Sequence, residues 1–357
     1  MVAHRIPSVL LSLVSLLSPG GAAISQQSLS AMPQAAAYAS PRNASFDAYL
    51  QVVAAKARAQ GISEATIGRM LGDLTPNERV IALDRDNISS GANRGTYPPL
   101  WPYIRDHNTP AKIARGREVY ARLRGYAPRL EARYGVSEPI VLAIWGHETG
   151  YGTIRGDFDL ARSLATLAWE GRRRALFERE LIDLLKIADS GIPRSTLVGS
   201  WAGAFGNPQF LPSIYLRLAV DADGDGVRNI WTSEPDTLFS IANYFHDAGW
   251  RAGQPWGVRA SVPGGFDRRS VAPRTVPPSC PRVHQRFSRW MTVSEWRQLG
   301  VVPQAPIGEG MLAALFEPDG PGGGSWLLTQ NYRVILEYNC SNYYAMSVGL
   351  LADEIAR

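Results

Sequence analysis

Cysteine is nearly absent. Cys280 and Cys340 are the only two in 357 residues, too few for a fold stapled by several disulfides or for a cysteine-rich metal centre. The pair forms either one disulfide or two thiols, and spacing alone leaves both open. Long apolar runs are missing as well: the stretch from Ile6 to Leu17 is too short to cross a bilayer comfortably, which argues against a permanent membrane anchor. Dense basic patches are absent too. Arg172-Arg173-Arg174 is the one basic triplet and reads as a solvated helix face, so nothing points to nucleic acid as a partner.

What remains is the composition of an ordinary soluble globular protein, 45% hydrophobic and 19% charged, long enough for two or three structural units. The net charge of +5 favours an anionic partner such as an acidic polymer or a membrane surface. His4 and Arg5 lead into the apolar run, and Ser18, Pro19, Gly20, Gly21, Ala22 and Ala23 follow it. That order is a secretory signal peptide over residues 1–23, which places the mature chain outside the cytoplasm. No cysteine lies near the cleavage point, so the chain is not expected to be a lipoprotein. Residues 24–45, rich in Ala, Ser and Gln with Pro33 and Pro41, read as a loose linker.

Beyond the linker the chain is mainly α. Helical spacing runs over residues 46–60, and Ser63 is placed to cap a second helix to about Leu74, with a turn at residues 74–77. A polar, proline-containing stretch through Pro102 precedes a long helical pattern over 110–133, and further helices are expected over 175–188 and through Ile241, Tyr244 and Phe245 to Gly249. From Trp250 to about Trp326, glycine and proline rise and short Val/Arg and aromatic stretches appear, the pattern of a smaller, partly β unit. The glycine run at residues 320–324 reads as its flexible exit. Residues 332–338 read as a strand and 343–356 as a closing helix that returns to the first unit, making the β unit an insertion. The domains expected are therefore a helical N-terminal domain over 46–135, a core over 136–250, the insertion over 251–326 and a returning segment over 327–357.

Three stretches carry candidate chemistry. In the first, Ser137 and Pro139 open an apolar helix in which Ile140, Ile144 and Glu148 fall at four-residue steps before Gly150 and Gly152 end it. Glu148 then sits by the negative end of the helix dipole among apolar neighbours such as Trp145, and both influences favour its protonated form, as a general acid requires. In the second, residues 199–212, glycines and prolines exclude a regular element while Trp201, Phe205 and Phe210 offer ring faces and Gln209 a donor and an acceptor. In the third, Asp221, Asp223 and Asp225 alternate before Gly226, and the carbonyl of Val227 takes the seventh place. This is the start of an EF-hand-like calcium loop over 221–232. Thr232 stands where a bidentate Glu is usual and Glu234 lies two places late, so the expectation is weak calcium binding or a metal-free turn.

Taken in order, residues 131–136 and 143–152, the 199–212 loop, the Asp221 loop through Ala242-Asn243-Tyr244-Phe245 and Gly249-Trp250, and finally Tyr338-Asn339 and Tyr343-Tyr344-Ala345-Met346 together resemble the lytic murein transglycosylase B family. The resemblance implies a lysozyme-like, mainly α (α+β) fold, exported to the periplasm, that cuts the β-1,4 bond between N-acetylmuramic acid and N-acetylglucosamine in peptidoglycan and leaves a 1,6-anhydro sugar. It implies Glu148 as the catalytic acid and Ser200, Gln209, Phe210, Tyr244, Tyr338 and Tyr344 as residues that hold the glycan. It also implies Asp221, Asp223, Asp225 and Val227 as ligands of a structural calcium, with no cofactor required for the reaction. Peptidoglycan strands are the expected partner, other cell-wall enzymes are possible ones, and the protein is expected to be a monomer. Two readings compete: a hydrolytic muramidase pairing Glu148 with Asp157 or Asp159, and a peptidoglycan-binding protein without activity.

Overall fold

The computed structural model describes residues 45–92, 99–274, 277 and 280–357; the expected signal peptide and nearly all of the linker lie outside the described residues. Among the described residues no helix is long and apolar enough to cross a membrane.

The first half is helical, and side-chain caps set most of the helix starts. Ser45 caps α1 (Phe46–Ala59), Ser63 caps α2 (Glu64–Leu71), and α3 spans Glu78–Ala92. Next come α4 (Leu100–His107), α5 (Pro110–Leu123, capped by Thr109), α6 (Ala127–Tyr134) and α7 (Glu138–Thr149). A short strand β1 (Phe158–Asp159) leads into α8 (Leu160–Glu170), where Asp159 accepts from the Arg162 amide, and then into α9 (Arg174–Asp189). β2 (Val198–Gly199) pairs antiparallel with β1, and α10 (Pro212–Leu218) and α11 (Glu234–Asp247) follow.

The second half opens with β3 (Gly257–Ser261), α12 (Pro281–His284), β4 (Met291–Thr292), α13 (Val293–Gln298), β5 (Val302–Pro303), β6 (Leu312–Phe316) and β7 (Trp326–Leu328). It ends with α14 (Gln330–Tyr338) and α15 (Asn342–Ala356). The five strands β3 to β7 form one sheet in the order β4-β6-β7-β3-β5, antiparallel throughout.

Several expectations change. Helices α3 and α4 occupy the stretch read as polar connection: Val80, Ile81, Leu100 and Ile104 are buried, while Arg79, Arg85, Trp101 and Arg105 face water. The long pattern over 110–133 is two helices broken at residues 124–126. Residues 332–338 are helical, not extended: the period-two alternation of Tyr332, Val334 and Leu336 is overridden by the Thr329 cap on the Asn331 amide and by burial of Ile335 beside Tyr332. The glycines at 320–324 join β6 to β7, with Phe316 opposite Trp326, so the sheet runs on to Leu328. Arg172 and Arg173 are not a solvated face; both bond the buried carboxylate of Asp84.

Two cores run through the helical body. One gathers α1, α2, α8, α9 and α10, so residues 46–80 pack with later helices and not with α4 to α6. The other gathers α4 to α7, α11, α14 and α15 and extends to Trp256, Phe316 and Trp326 of the β unit. Helix α7 lies at its centre, against α5, α11 and α15. Every residue from Ile140 to Gly146 is buried, so α7 is apolar all round and not amphipathic, which fixes it as a core rod. The closing helix α15 does return to this body. A disulfide between Cys280 and Cys340, with Cα atoms 5.9 Å apart, ties the start of α12 to the turn between α14 and α15.

Candidate active site

Helix α7 carries Glu148 in its last turn. Ser137 holds the N-cap position without a side-chain cap bond, and Gly150 ends the helix in the left-handed region at φ 57°, which glycine reaches at no steric cost. Tyr151 and Gly152 continue with positive φ, so the chain doubles back beneath the helix. Tyr151 then fills the space over Gly146, where a Cβ would come within 2.6 Å of its ring. The glycines thus let a buried rod stop abruptly with the carboxyl of Glu148 half-buried at the rim.

The Glu148 carboxyl accepts a hydrogen bond of 2.5 Å from the Tyr344 hydroxyl, delivered by α15 after its Ser341 cap. Burial pushes the Glu148 pKa up to about 7, against the downward pull of the Tyr344 bond and of the Lys112 ammonium on α5. Burial in turn lowers the Lys112 pKa. Burial also raises the phenols of Tyr344, Tyr338, Tyr244 and Tyr103, the last to about 12, and in each the Glu148 charge adds to the rise, so all four surround the same carboxyl. No other acid perturbs Glu148 among the described residues. Asp159 is taken up by its cap on α8 and by Arg194, and Asp157 is exposed.

A second layer fixes this geometry. The Asn108 amide donates to the Ser347 carbonyl at 2.9 Å, and its oxygen accepts the Ser347 hydroxyl at 2.6 Å. Ser347 Oγ is therefore left to accept from His147 Nε2 at 3.1 Å. Burial holds the His147 pKa well below the usual histidine range, so the ring is neutral. The chain Asn108–Ser347–His147 locks α15 to α7 one turn from the Tyr344–Glu148 bond.

The 199–212 loop is held by bridges between Gly199 and Phe205 and between Phe205 and Phe210. Ser200 Oγ accepts from the Ala204 amide. Gln209 sits at φ 53°, a conformation uncommon outside glycine and favoured at binding sites, with its amide donating to the Gly206 carbonyl at 2.9 Å. Phe205 is fully buried against Tyr215 and Trp231, so it is core and not a ring face for ligand. Phe210 packs with Tyr244 and Tyr338, but only 2% of its surface is exposed; it forms the floor of an aromatic wall. The Tyr244 and Tyr338 hydroxyls donate to the Glu337 and Pro208 carbonyls. Phe210, Tyr244, Tyr338 and Tyr344 thus come together beside Glu148, while Ser200 and Gln209 belong to the loop that backs the wall.

In the acidic loop the carboxylates that converge are Asp221, Asp223 and Asp236, with ligand oxygens within 4.8 Å of one another. Asp225 turns onto the Val227 amide, and the Thr232 hydroxyl is engaged by the Asn229 side chain. Asp236, in the first turn of α11, accepts from the Ala222 and Asn229 amides, which holds its carboxylate at the loop. This set of oxygens suits a hard divalent cation. Tyr103, Lys112 and Asp236 escaped the sequence reading because each reaches its site from a different element. An acid four residues past Thr232 was the one available signal.

A family model described as the transglycosylase SLT domain matches residues 45–353. The chain is 32% identical to the membrane-bound lytic murein transglycosylase B of Escherichia coli strain K12 over 268 residues, 72% of this chain and 70% of that protein. SltB3 from Pseudomonas aeruginosa, solved with a NAG-NAM-pentapeptide and with a NAG-anhNAM-pentapeptide, superposes with a TM-score of 0.78 at 37% identity, covering 88% of this chain and 80% of that one. The Escherichia coli lytic transglycosylase Slt35 in complex with calcium superposes with a TM-score of 0.70 at 29% identity, covering 86% and 92%.

Proposed function

This chain belongs to the transglycosylase SLT domain family and is a peptidoglycan-cleaving lytic transglycosylase of lysozyme-like, mainly α fold; from that premise we propose that Glu148 alone serves as its acid and then its base. An ordinary glycosidase uses two carboxylates, one to protonate the leaving oxygen and one as nucleophile or as base for water. Here Glu148 starts protonated and donates to the glycosidic oxygen as the bond to C1 of the muramic acid breaks. The resulting carboxylate, held by the Tyr344 hydroxyl, takes the proton of the sugar's own C6 hydroxyl as O6 bonds to C1. The anhydro ring closes, Glu148 regains its proton, and no water enters. The observation that carries this reading is a carboxyl whose burial raises its pKa to about 7, surrounded by phenols and the Lys112 ammonium, with no second acid beside it among the described residues.

The aromatic wall of Phe210, Tyr244 and Tyr338 bounds the glycan, and Ser200 and Gln209 hold the loop that supports it. The protein acts as a monomer on glycan strands in the periplasm, with room for other cell-wall enzymes as partners. Asp221, Asp223 and Asp236, with the Val227 carbonyl, hold a structural calcium that relieves repulsion between the acids and takes no part in the chemistry. The domain division taken with this reading is a helical N-terminal domain, a core, an inserted β unit and a returning C-terminal segment; the sheet of the β unit runs to Leu328, and residues 46–80 pack with α8 to α10. The test is Glu148→Gln assayed on murein sacculi. The variant is expected to keep its melting temperature and to lose roughly 10²- to 10⁴-fold in turnover, the range for a general acid–base group. A variant that released soluble murein as fast as the wild type would overturn the proposal.

A further inference from the structure

A cavity of about 730 Å³ lies between the helical body and the β unit, away from the Phe210 wall. The helix α4, which forms one side, is pinned there: the Leu100 amide donates to Asp319 at 2.7 Å and the Trp101 indole to the Gly323 carbonyl. Trp101 leans on Trp326 at 5.9 Å yet leaves 39% of its own surface exposed. The guanidinium of Arg259 on β3 lies over both rings, at 5.8 and 5.2 Å, and meets no carboxylate within ion-pair distance among the described residues. Across the groove, Asp353 on α15 accepts from the Trp256 indole at 3.2 Å and likewise has no ion-pair partner there. Glu354, by contrast, is paired with Arg117 and Arg357. The groove therefore presents one cation without an ion pair, one carboxylate that bonds only the Trp256 indole and feels Arg357 from beyond ion-pair distance, and an open indole.

We propose that this groove takes the stem peptide carried by the muramic acid of the strand being cut. The inference rests on the transglycosylase reading above and adds the part of the substrate that the Glu148 site does not account for. A glycan chain is neutral apart from its stems, so a surface with both signs of charge unpaired matches the peptide, whose carboxylates and free amine would face Arg259 and Asp353. An aliphatic stem also packs on the open face of Trp101. The groove lies within reach. Asn108 lines it and is linked through Ser347 to His147, the residue before Glu148, while an extended peptide of five residues spans up to about 18 Å.

The test compares Arg259→Gln and Asp353→Asn with the wild type on two substrates, murein strands bearing their stems and the same strands stripped by an amidase. Asparagine at 353 can still accept from Trp256, so this variant keeps the test alive should Arg259→Gln unfold. KM on stem-bearing strands is expected to rise roughly tenfold in each variant, the loss of one charge-assisted bond, with kcat and all values on stripped strands unchanged. Equal rises on both substrates would mean that the groove holds glycan, and no change on either would mean that it holds no part of the substrate; each overturns the proposal. A wild-type protein that forms no anhydro ends on either substrate would instead remove the transglycosylase reading and this inference with it.

Discussion

Replacing Tyr344 with phenylalanine removes the hydroxyl that bonds Glu148 and leaves the ring in place. That bond favours the charged carboxylate, so it lowers the pKa, and its loss raises it. Hydrogen bonds to charged groups are worth about 1.5–3 kcal/mol, and about 1.4 kcal/mol corresponds to one pKa unit, so the shift is about one to two units. Tyr344 is buried, and little of this is lost to solvent screening. Glu148 at about 7 would then titrate near 8 to 9. As a general acid it works protonated, and activity falls as pH rises through its pKa; the alkaline limb of the kcat/KM profile reports that value for the free enzyme. At pH 8 the protonated fraction would grow from about a tenth to between a half and nine-tenths. The assay is release of anhydromuropeptides from sacculi between pH 5 and 10. The amplitude can fall, since Tyr344 also orients the carboxyl and borders the glycan, but the limb must move to higher pH. A limb that stayed in place or moved down would refute the assignment of Glu148 as the titrating acid held by Tyr344.

Other changes test the frame around the site. Glu138 is fully buried at the start of α7 with neither oxygen bonded, and burial raises it to about 7. Its folded pKa exceeds its unfolded one, so the wild type loses stability as pH rises from about 4.5 to 7. Glu138→Gln should therefore gain roughly 1–3 kcal/mol at pH 8 and little at pH 4.5, as urea melts at the two values would reveal; equal effects at both would contradict the buried-acid account. Replacing Cys280 and Cys340 together by serine opens a loop of 60 residues and should cost about 4 kcal/mol on the loop-entropy model, measured by the same melts. Calcium at a hundred times its dissociation constant should stabilise the wild type by about 2.7 kcal/mol. Asp236→Asn should abolish that gain, whereas Asp225→Asn, whose carboxylate caps the Val227 amide, should retain part of it. A gain that survived Asp236→Asn would show that Asp236 is not a ligand.

The helix of Glu148 was legible because its signals are local: an apolar run, a proline in the first turn and a glycine stop. Its partner Tyr344 lies 196 residues away, and only the family resemblance pointed to it. Tyr103 and Lys112 arrive on helices misread or merged in the sequence, since a short helix with two buried apolar residues, such as α4, has too little periodicity to stand out. Helix α14 shows the opposite failure, in which a clear period of two was outweighed by a cap and by core packing. The acidic loop was half legible: its alternating acids are a local pattern, but the third acid of the cluster, Asp236, sits on the following helix. The disulfide depended on a fold-level approach of α12 and α15 that spacing does not encode.

The central claim, one carboxyl working twice with the sugar's own hydroxyl as nucleophile, predicts that solvent contributes no atom to the product. Sacculi digested in water enriched in the heavy oxygen isotope and analysed by mass spectrometry should yield muropeptides ending in 1,6-anhydromuramic acid, with no label incorporated at the new end. Reducing ends carrying one heavy oxygen each would mean that water, activated by a second group, attacks C1, and the account given for Glu148 would be wrong.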